Sequence, residues 1–143
     1  MNREHDFGMK LNILSHKLKK HLNAVLADLG ITGVQSRILH YILVHCQTGA
    51  VFQRDVESAF GLSRSTATGI LQLLERDGMI RRESVSSDAR LKSLVPTEKA
   101  AEIDAQVLES ITEIECRLVK GISEEEQKIF LSVADRMAEN LKN

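Results

Sequence analysis

Apolar residues recur at three- and four-residue steps along most of this chain, and the runs are cut by Gly30, Gly49, Gly61, Gly78 and Gly121. That spacing puts apolar side chains on one side of a helix, and a glycine past the last turn lets the helix end. The punctuation therefore predicts a mostly helical chain with short connections, consistent with its single proline. The exception lies at 79–95. Met79–Glu83 and Leu91–Val95 read as two short strands around the polar SVSSDAR at 84–90. Seven polar-rich residues are too many for a tight turn, so an extended loop is expected there.

The first helix should run from about Asp6 to Leu29, with Leu11, Leu14, Leu18, Leu22, Val25 and Leu29 as its stripe. Thr32 is placed to cap a second helix whose Val34, Ile38, Leu39, Ile42 and Cys46 face inward. A short helix over 53–60 should bury Val56, Ala59 and Phe60, and Ser63 should cap the next, which runs to about Asp77. After Pro96, Thr97 caps a long helix with Ile103, Val107, Ile111, Ile114 and Leu118 on one face. Ser123 and Glu126 form a capping box, and the last helix should bury Phe130, Val133, Met137 and Leu141. Length and a 43% hydrophobic composition fit one globular soluble domain with appended helices. The expected division is an N-terminal helix over 1–30, a compact domain over 31–96, and C-terminal helices over 97–143.

Residues 63–77 carry the functional signal. Ala67, Ile70, Leu71 and Leu74 fall on one side of the helical wheel and need a core. Ser65, Thr68, Gly69, Gln72 and Arg76 fall on the other. Short side chains let a backbone approach another surface closely. Hydroxyls can meet phosphate or base edges, Gln can pair with adenine, and a helix N-terminus attracts phosphate. A helix over 53–60, a Gly-containing turn and a second helix over 63–77 make a helix-turn-helix, whose second helix enters a major groove. The plainer reading is an amphipathic helix with a Ser cap and a solvated polar face. The hairpin weighs against it. Arg81, Arg82, Arg90 and Lys92 outnumber Glu83 and Asp88, and an Arg beside a recognition helix suits a narrow minor groove. Ser63, Arg64, Ser65, Thr66, Thr68, Gln72, Arg76, Arg82, Arg90 and Lys92 are the candidate DNA contacts. The alternative for the arginines is a solvated hairpin in which Asp88 pairs with Arg90; both can hold if Asp88 orients Arg90.

The ordered set ITGVQSRILHYI (31–42), GLSRSTATGILQLLERDGMIRR (61–82), DAR (88–90), VPTEKA (95–100) and ISEEEQKIF (122–130) resembles the MarR family of winged helix-turn-helix transcriptional regulators over nearly the whole chain. The resemblance implies a mostly α fold with a small β-wing, and a first helix and last two helices that interlock two subunits. It also implies a cytoplasmic homodimeric repressor, or alternatively activator, that binds pseudopalindromic double-stranded DNA. Two recognition helices one turn apart on the duplex read half-sites about 34–36 Å apart. Gly69 stands where the family often has a bulkier or basic residue, and Ala89 where a second Arg is frequent. Both departures bear on affinity or operator identity.

Many relatives release DNA when a small phenolic or other anionic molecule binds. His16, Lys17, Lys20 and His21, with Arg37 and Tyr41, are candidates to rim such a site, against the plainer reading of solvated helix surface. No cofactor or metal is expected: the His pairs 16/21 and 40/45 are five apart, which sets them on different helix faces. A metal-responsive repressor stays an alternative, as does a winged helix that binds protein instead of DNA. Cys46 and Cys116 lack metal or redox spacing, fit a reducing compartment and are expected to be buried and inert. No nucleophile motif, phosphate loop or paired carboxylate argues for an enzyme. No apolar run reaches membrane-spanning length, and MNREHDFGMK lacks the apolar core of a signal peptide. Charge is uneven. Residues 1–53 hold six basic and three acidic groups, 54–99 eight and seven, and 100–143 five and ten. A nucleic-acid contact must therefore be local, with the acidic C-terminal part kept from phosphate.

Overall fold

The computed structural model describes residues 6–85 and 88–143, with the side chain of residue 89 outside the description. Within it the order is α1 (Phe7–Asp28), α2 (Gly33–His45), α3 (Gln53–Phe60), α4 (Arg64–Arg76), β1 (Ile80–Val85), β2 (Asp88–Pro96), α5 (Glu98–Leu118) and α6 (Glu124–Asn140). The chain divides into two compact units, 1–110 and 111–143, with the division inside α5.

Local chemistry sets the helix ends. Asp6 Oδ1 accepts from the Gly8 and Met9 N–H groups at 3.0 and 3.4 Å and starts α1. Thr32 and Gln35 exchange bonds at 3.2 and 3.0 Å, a capping box in which the Gln had gone unread. Gly61 and Gly78 take φ of 61° and 74°, the left-handed conformation that ends α3 and lets the chain turn from α4 into β1.

The core of the first unit is built from Ile38, Leu39 and Ile42 of α2, Val56 of α3, Ala67, Leu71 and Leu74 of α4, and Ile80 and Leu94 of the hairpin. Val34 and Ala59, expected to face inward, are exposed, and Phe60 is half-buried. Each lies on the margin of its stripe, where spacing alone does not say which turn the neighbouring helix covers. Thr97 ties the hairpin base to α5. Its backbone N–H donates to the Met79 carbonyl at 3.0 Å, its hydroxyl donates to the Gly78 carbonyl at 2.6 Å, and the hydroxyl oxygen accepts from the Ala100 N–H at 3.3 Å.

The hairpin is longer than its sequence suggests. β1 and β2 pair antiparallel from Ile80↔Pro96 to Ser84↔Lys92, with an irregularity between Ser84 and Val85. Most of the expected loop at 84–90 is therefore strand; Ser86 and Ser87 lie outside the described residues. Polar side chains hid this, because a hairpin standing in solvent needs backbone pairing and no apolar alternation. Leu94 N–H also donates to the Val51 carbonyl at 2.7 Å, adding one bond from the α2–α3 connection.

In the second unit no residue is buried. Phe130 and Leu141, expected inside, are 53% and 83% exposed, and Cys116 is exposed too. Two helices cannot enclose a core between them, so periodicity marked the apolar side without saying what covers it. The start of α6 is well defined: Glu126 N–H donates to Ser123 Oγ, and Ser123 N–H donates to Glu126 Oε1, both at 3.1 Å. The Ser123 backbone bond first, then its side-chain bond, hold the Glu126 carboxyl below its ordinary value near 4.5. A folded value below the unfolded one means that the cap's stabilisation is present above the ordinary carboxylate range and is lost as pH falls through the folded value. Ser123→Ala keeps the backbone N–H, so the Glu126 carboxyl should move only part of the way back toward its ordinary value, which carboxyl-carbon NMR reads directly.

Candidate nucleic-acid interface

The interface is built on α4 and the elements beside it. Ser63 caps α4: its Oγ accepts from the Thr66 N–H at 3.2 Å and donates to Thr66 Oγ1 at 2.9 Å, and Ser65 Oγ lies 3.3 Å from it. Three hydroxyls thus sit together at the N-terminal end of the helix, where free N–H groups also point outward. Arg64, Ser65, Thr66, Gly69, Gln72 and Arg76 are exposed and Thr68 is half-buried, while Ala67, Leu71 and Leu74 are buried. Ile70, placed on the core side, is half-buried. Arg76 pairs with Asp77 at 3.2 Å. A Cβ added to Gly69 would meet nothing within 4 Å, so this residue leaves bare backbone on the exposed face. Gly69→Ala should raise stability by about 1 kcal/mol through helix propensity, read by thermal unfolding.

An open groove of about 640 Å³ lies between the N-terminal end of α3, this face of α4 and the hairpin base. Arg64, Thr68, Gln72 and Arg82, all singled out from sequence, line it. So do Gln53 and Arg54 of α3, which sequence reasoning missed. The Arg54 guanidinium lies 5.3 Å from the Phe52 ring centre, a cation–π contact that restrains a long side chain. The missed signal was the helix-turn-helix spacing, which sets the start of the first helix beside the second.

The hairpin arginines differ in role. Arg82 is half-buried and reaches back to Glu75 of α4 at 3.4 Å, fixing the hairpin base against that helix. Arg81 pairs along its own strand with Glu83 at 2.9 Å. Lys92 Nζ donates to Ser84 Oγ across the strands at 3.0 Å. Asp88 accepts the Arg90 backbone N–H at 2.9 Å and lies 3.5 Å from its guanidinium, yet the Arg90 side chain is 94% exposed. Asp88 therefore shapes the backbone beneath Arg90 and leaves its charge in solvent.

Residues 29–91 match a model of the MarR family. Over 95% of this chain and 99% of its own length, the Bacillus subtilis (strain 168) HTH-type transcriptional regulator YwhA, itself uncharacterized, is 25% identical. MepR, a transcription regulator of the Staphylococcus aureus multidrug efflux pump MepA, is 25% identical, with 95% of this chain and 98% of MepR covered and a TM-score of 0.83. Residues 29–91 form a MarR-family domain. A MepR–DNA complex from S. aureus is also similar, at 26% identity, 95% and 100% coverage and a TM-score of 0.79. The architecture of six helices and a two-stranded antiparallel sheet is thus the winged helix of this family, with β1 and β2 as the wing.

The ligand candidates are less gathered than the α4 set. His16, Lys17 and Lys20 are exposed along α1, and Arg37 is exposed on α2. Tyr41 is half-buried, stacked on His45 with ring centres 4.0 Å apart and edge-on to Phe60 at 5.7 Å. None of the five lines the α4 groove or the groove of about 400 Å³ at the α1–α2 corner. Among the described residues, no three or more His, Cys, Asp or Glu side chains are grouped to hold a metal ion, and no helix is long and apolar enough to cross a membrane.

Proposed function

We propose that this chain is a homodimeric MarR-family repressor that lays α4 of each subunit in the major groove of a pseudopalindromic operator, with the wing beside it at the minor groove. The observation that carries this reading is the α4 face: Ser65, Gly69 and Gln72 are exposed, and Gln72 lines a groove edged by Arg54, Arg64 and Arg82. Small and polar groups let the helix approach base edges, and the arginines supply the charge that phosphate needs. The likeness to the MepR–DNA complex supports it. The contacts are Ser63, Arg64, Ser65, Thr66, Thr68, Gln72, Arg76, Arg82, Arg90 and Lys92, with Arg82 acting through the wing base that it anchors to Glu75. The dimer forms through the first and last helices, whose apolar side chains are exposed in the single chain: Phe7, Leu11 and Leu14 on α1, Phe130 and Leu141 in the second unit. A small phenolic or other anionic effector meets His16, Lys17, Lys20, Arg37 and Tyr41, and releases DNA by favouring one spacing of the two reading heads.

The test is duplex binding by the full-length protein as salt is raised. Each phosphate neutralised adds about 0.9 to the slope of log affinity against log salt. Arg90→Ala should reduce that slope by about 1 if the guanidinium meets phosphate, or remove a preference for flanking A·T pairs if it enters the minor groove. Affinity, slope and flank preference all equal to wild type would remove Arg90 from the interface. Flat salt dependence in the wild type would favour a protein-binding winged helix.

A further inference from the structure

Gln53 Nε2 donates to Thr68 Oγ1 at 2.9 Å and to the Arg64 carbonyl at 3.4 Å. The carbonyl can only accept, so it fixes which end of the Gln53 amide faces α4. Arg64 is also the residue four before Thr68, and its carbonyl takes the Thr68 N–H in the helical ladder. A helical Thr hydroxyl ordinarily turns its proton back onto that same carbonyl. Gln53 competes for the carbonyl's second lone pair, and it gives a proton to the hydroxyl oxygen itself. With that carbonyl and one hydroxyl lone pair engaged, the Thr68 proton is free to turn toward the groove that Thr68 shares with Gln72. Accepting one bond also polarises an O–H and strengthens it as a donor.

We infer that Gln53 is a specificity-determining positioning residue: its bond to Thr68 commits that hydroxyl to donate toward the base edge that α4 meets, so that cytosine is disfavoured there. The inference rests on the reading of α4 as the groove-facing helix. In the major groove guanine, adenine and thymine each present an acceptor, whereas cytosine presents only its N4 donor. A hydroxyl set to donate finds a partner on three bases and meets a competing donor on the fourth.

The experiment selects bound duplexes from a pool with randomised half-sites, using the full chain as wild type, Thr68→Val, Gln53→Leu and Gln53→Glu. Wild type should disfavour cytosine roughly fivefold or more at one position of each half-site, the usual cost of one mismatched contact. Thr68→Val should flatten that position and leave the others. Gln53→Leu should flatten the same position with Thr68 intact, because the hydroxyl proton returns to the Arg64 carbonyl. Gln53→Glu should tilt it toward cytosine, because a carboxylate takes the Thr68 proton and turns lone pairs outward. The inference is overturned if both Gln53 variants keep the wild-type preference at the position that Thr68→Val flattens. It is overturned equally if Thr68→Val flattens none, or if Gln53 variants weaken all sequences alike, as a purely structural residue would. Wild-type protein that selects no duplex at all would instead remove the DNA reading beneath it.

Discussion

Phe130→Asp combined with Leu131→Asp is expected to give a folded single subunit whose affinity for an operator-sized duplex falls by roughly a thousandfold. In the single chain these residues are 53% and 62% exposed, so the aspartates displace little of its own packing. No residue of 111–143 is buried, and Leu118, Ile122, Ile129, Phe130, Leu131 and Leu141 are all exposed. That much apolar surface on 33 residues marks an association face. In the proposed dimer a second copy covers it stripe against stripe, and a twofold axis presents the same patch from both sides. Two carboxylates within that patch would lose hydration without gaining a partner, which opposes closure. The DNA effect follows from geometry. A lone head keeps its phosphate contacts but loses the second half-site, and with it most of the gap between specific and non-specific binding. Sedimentation equilibrium and a low-salt duplex titration measure the two halves separately. A wild-type protein that sediments as one subunit, or a variant that stays a dimer, sinks the assignment of this face. A monomeric variant with wild-type affinity sinks the twofold reading of the operator.

The sequence carried the joints of this fold more clearly than its surfaces. Asp6, Thr32, Ser63, Thr97 and Ser123 sit where helices begin because a cap is a local bargain between one side chain and N–H groups two or three residues away. Gly30, Gly61, Gly78 and Gly121 sit at turns because a positive φ is a property of one residue. The two sides of α4 were equally plain, since Ala67, Leu71 and Leu74 return every three or four positions. What needed coordinates was non-local. The pairing of Gln53 with Thr68 spans fifteen residues and that of Arg82 with Glu75 crosses from strand to helix, and neither leaves a spacing to read. The wing was under-read for a related reason: its strands are held by backbone bonds, which any polar sequence supplies. The apolar stripes of α1 and α6 were legible as stripes, yet their periodicity is the same whether the cover comes from the same chain or from another.

Leu71→Ala is expected to cost about 3 kcal/mol and to lower the unfolding midpoint by roughly 10 °C, while Leu73→Ala costs under about 1 kcal/mol. The two substitutions delete the same atoms from the same helix, two positions apart. Leu71 is fully buried, whereas Leu73 is 39% exposed. Truncating Leu71 therefore loses its transfer free energy and leaves a cavity that packed neighbours close only in part, and truncating Leu73 leaves a dent that water fills. Binding should separate from stability. Well below its midpoint the Leu71→Ala protein still presents Ser65, Gln72 and Arg76 outward, so its duplex affinity should stay within a fewfold of wild type. Thr68→Val should do the reverse, with an almost unchanged midpoint and a changed base preference. Calorimetry beside duplex titration checks both. Equal costs at 71 and 73 would mean that something besides this chain covers Leu73. A Leu71→Ala protein that is stable but no longer binds would mean that the buried side of α4 sets its outer geometry, and that the helix cannot be divided into a packing side and a reading side.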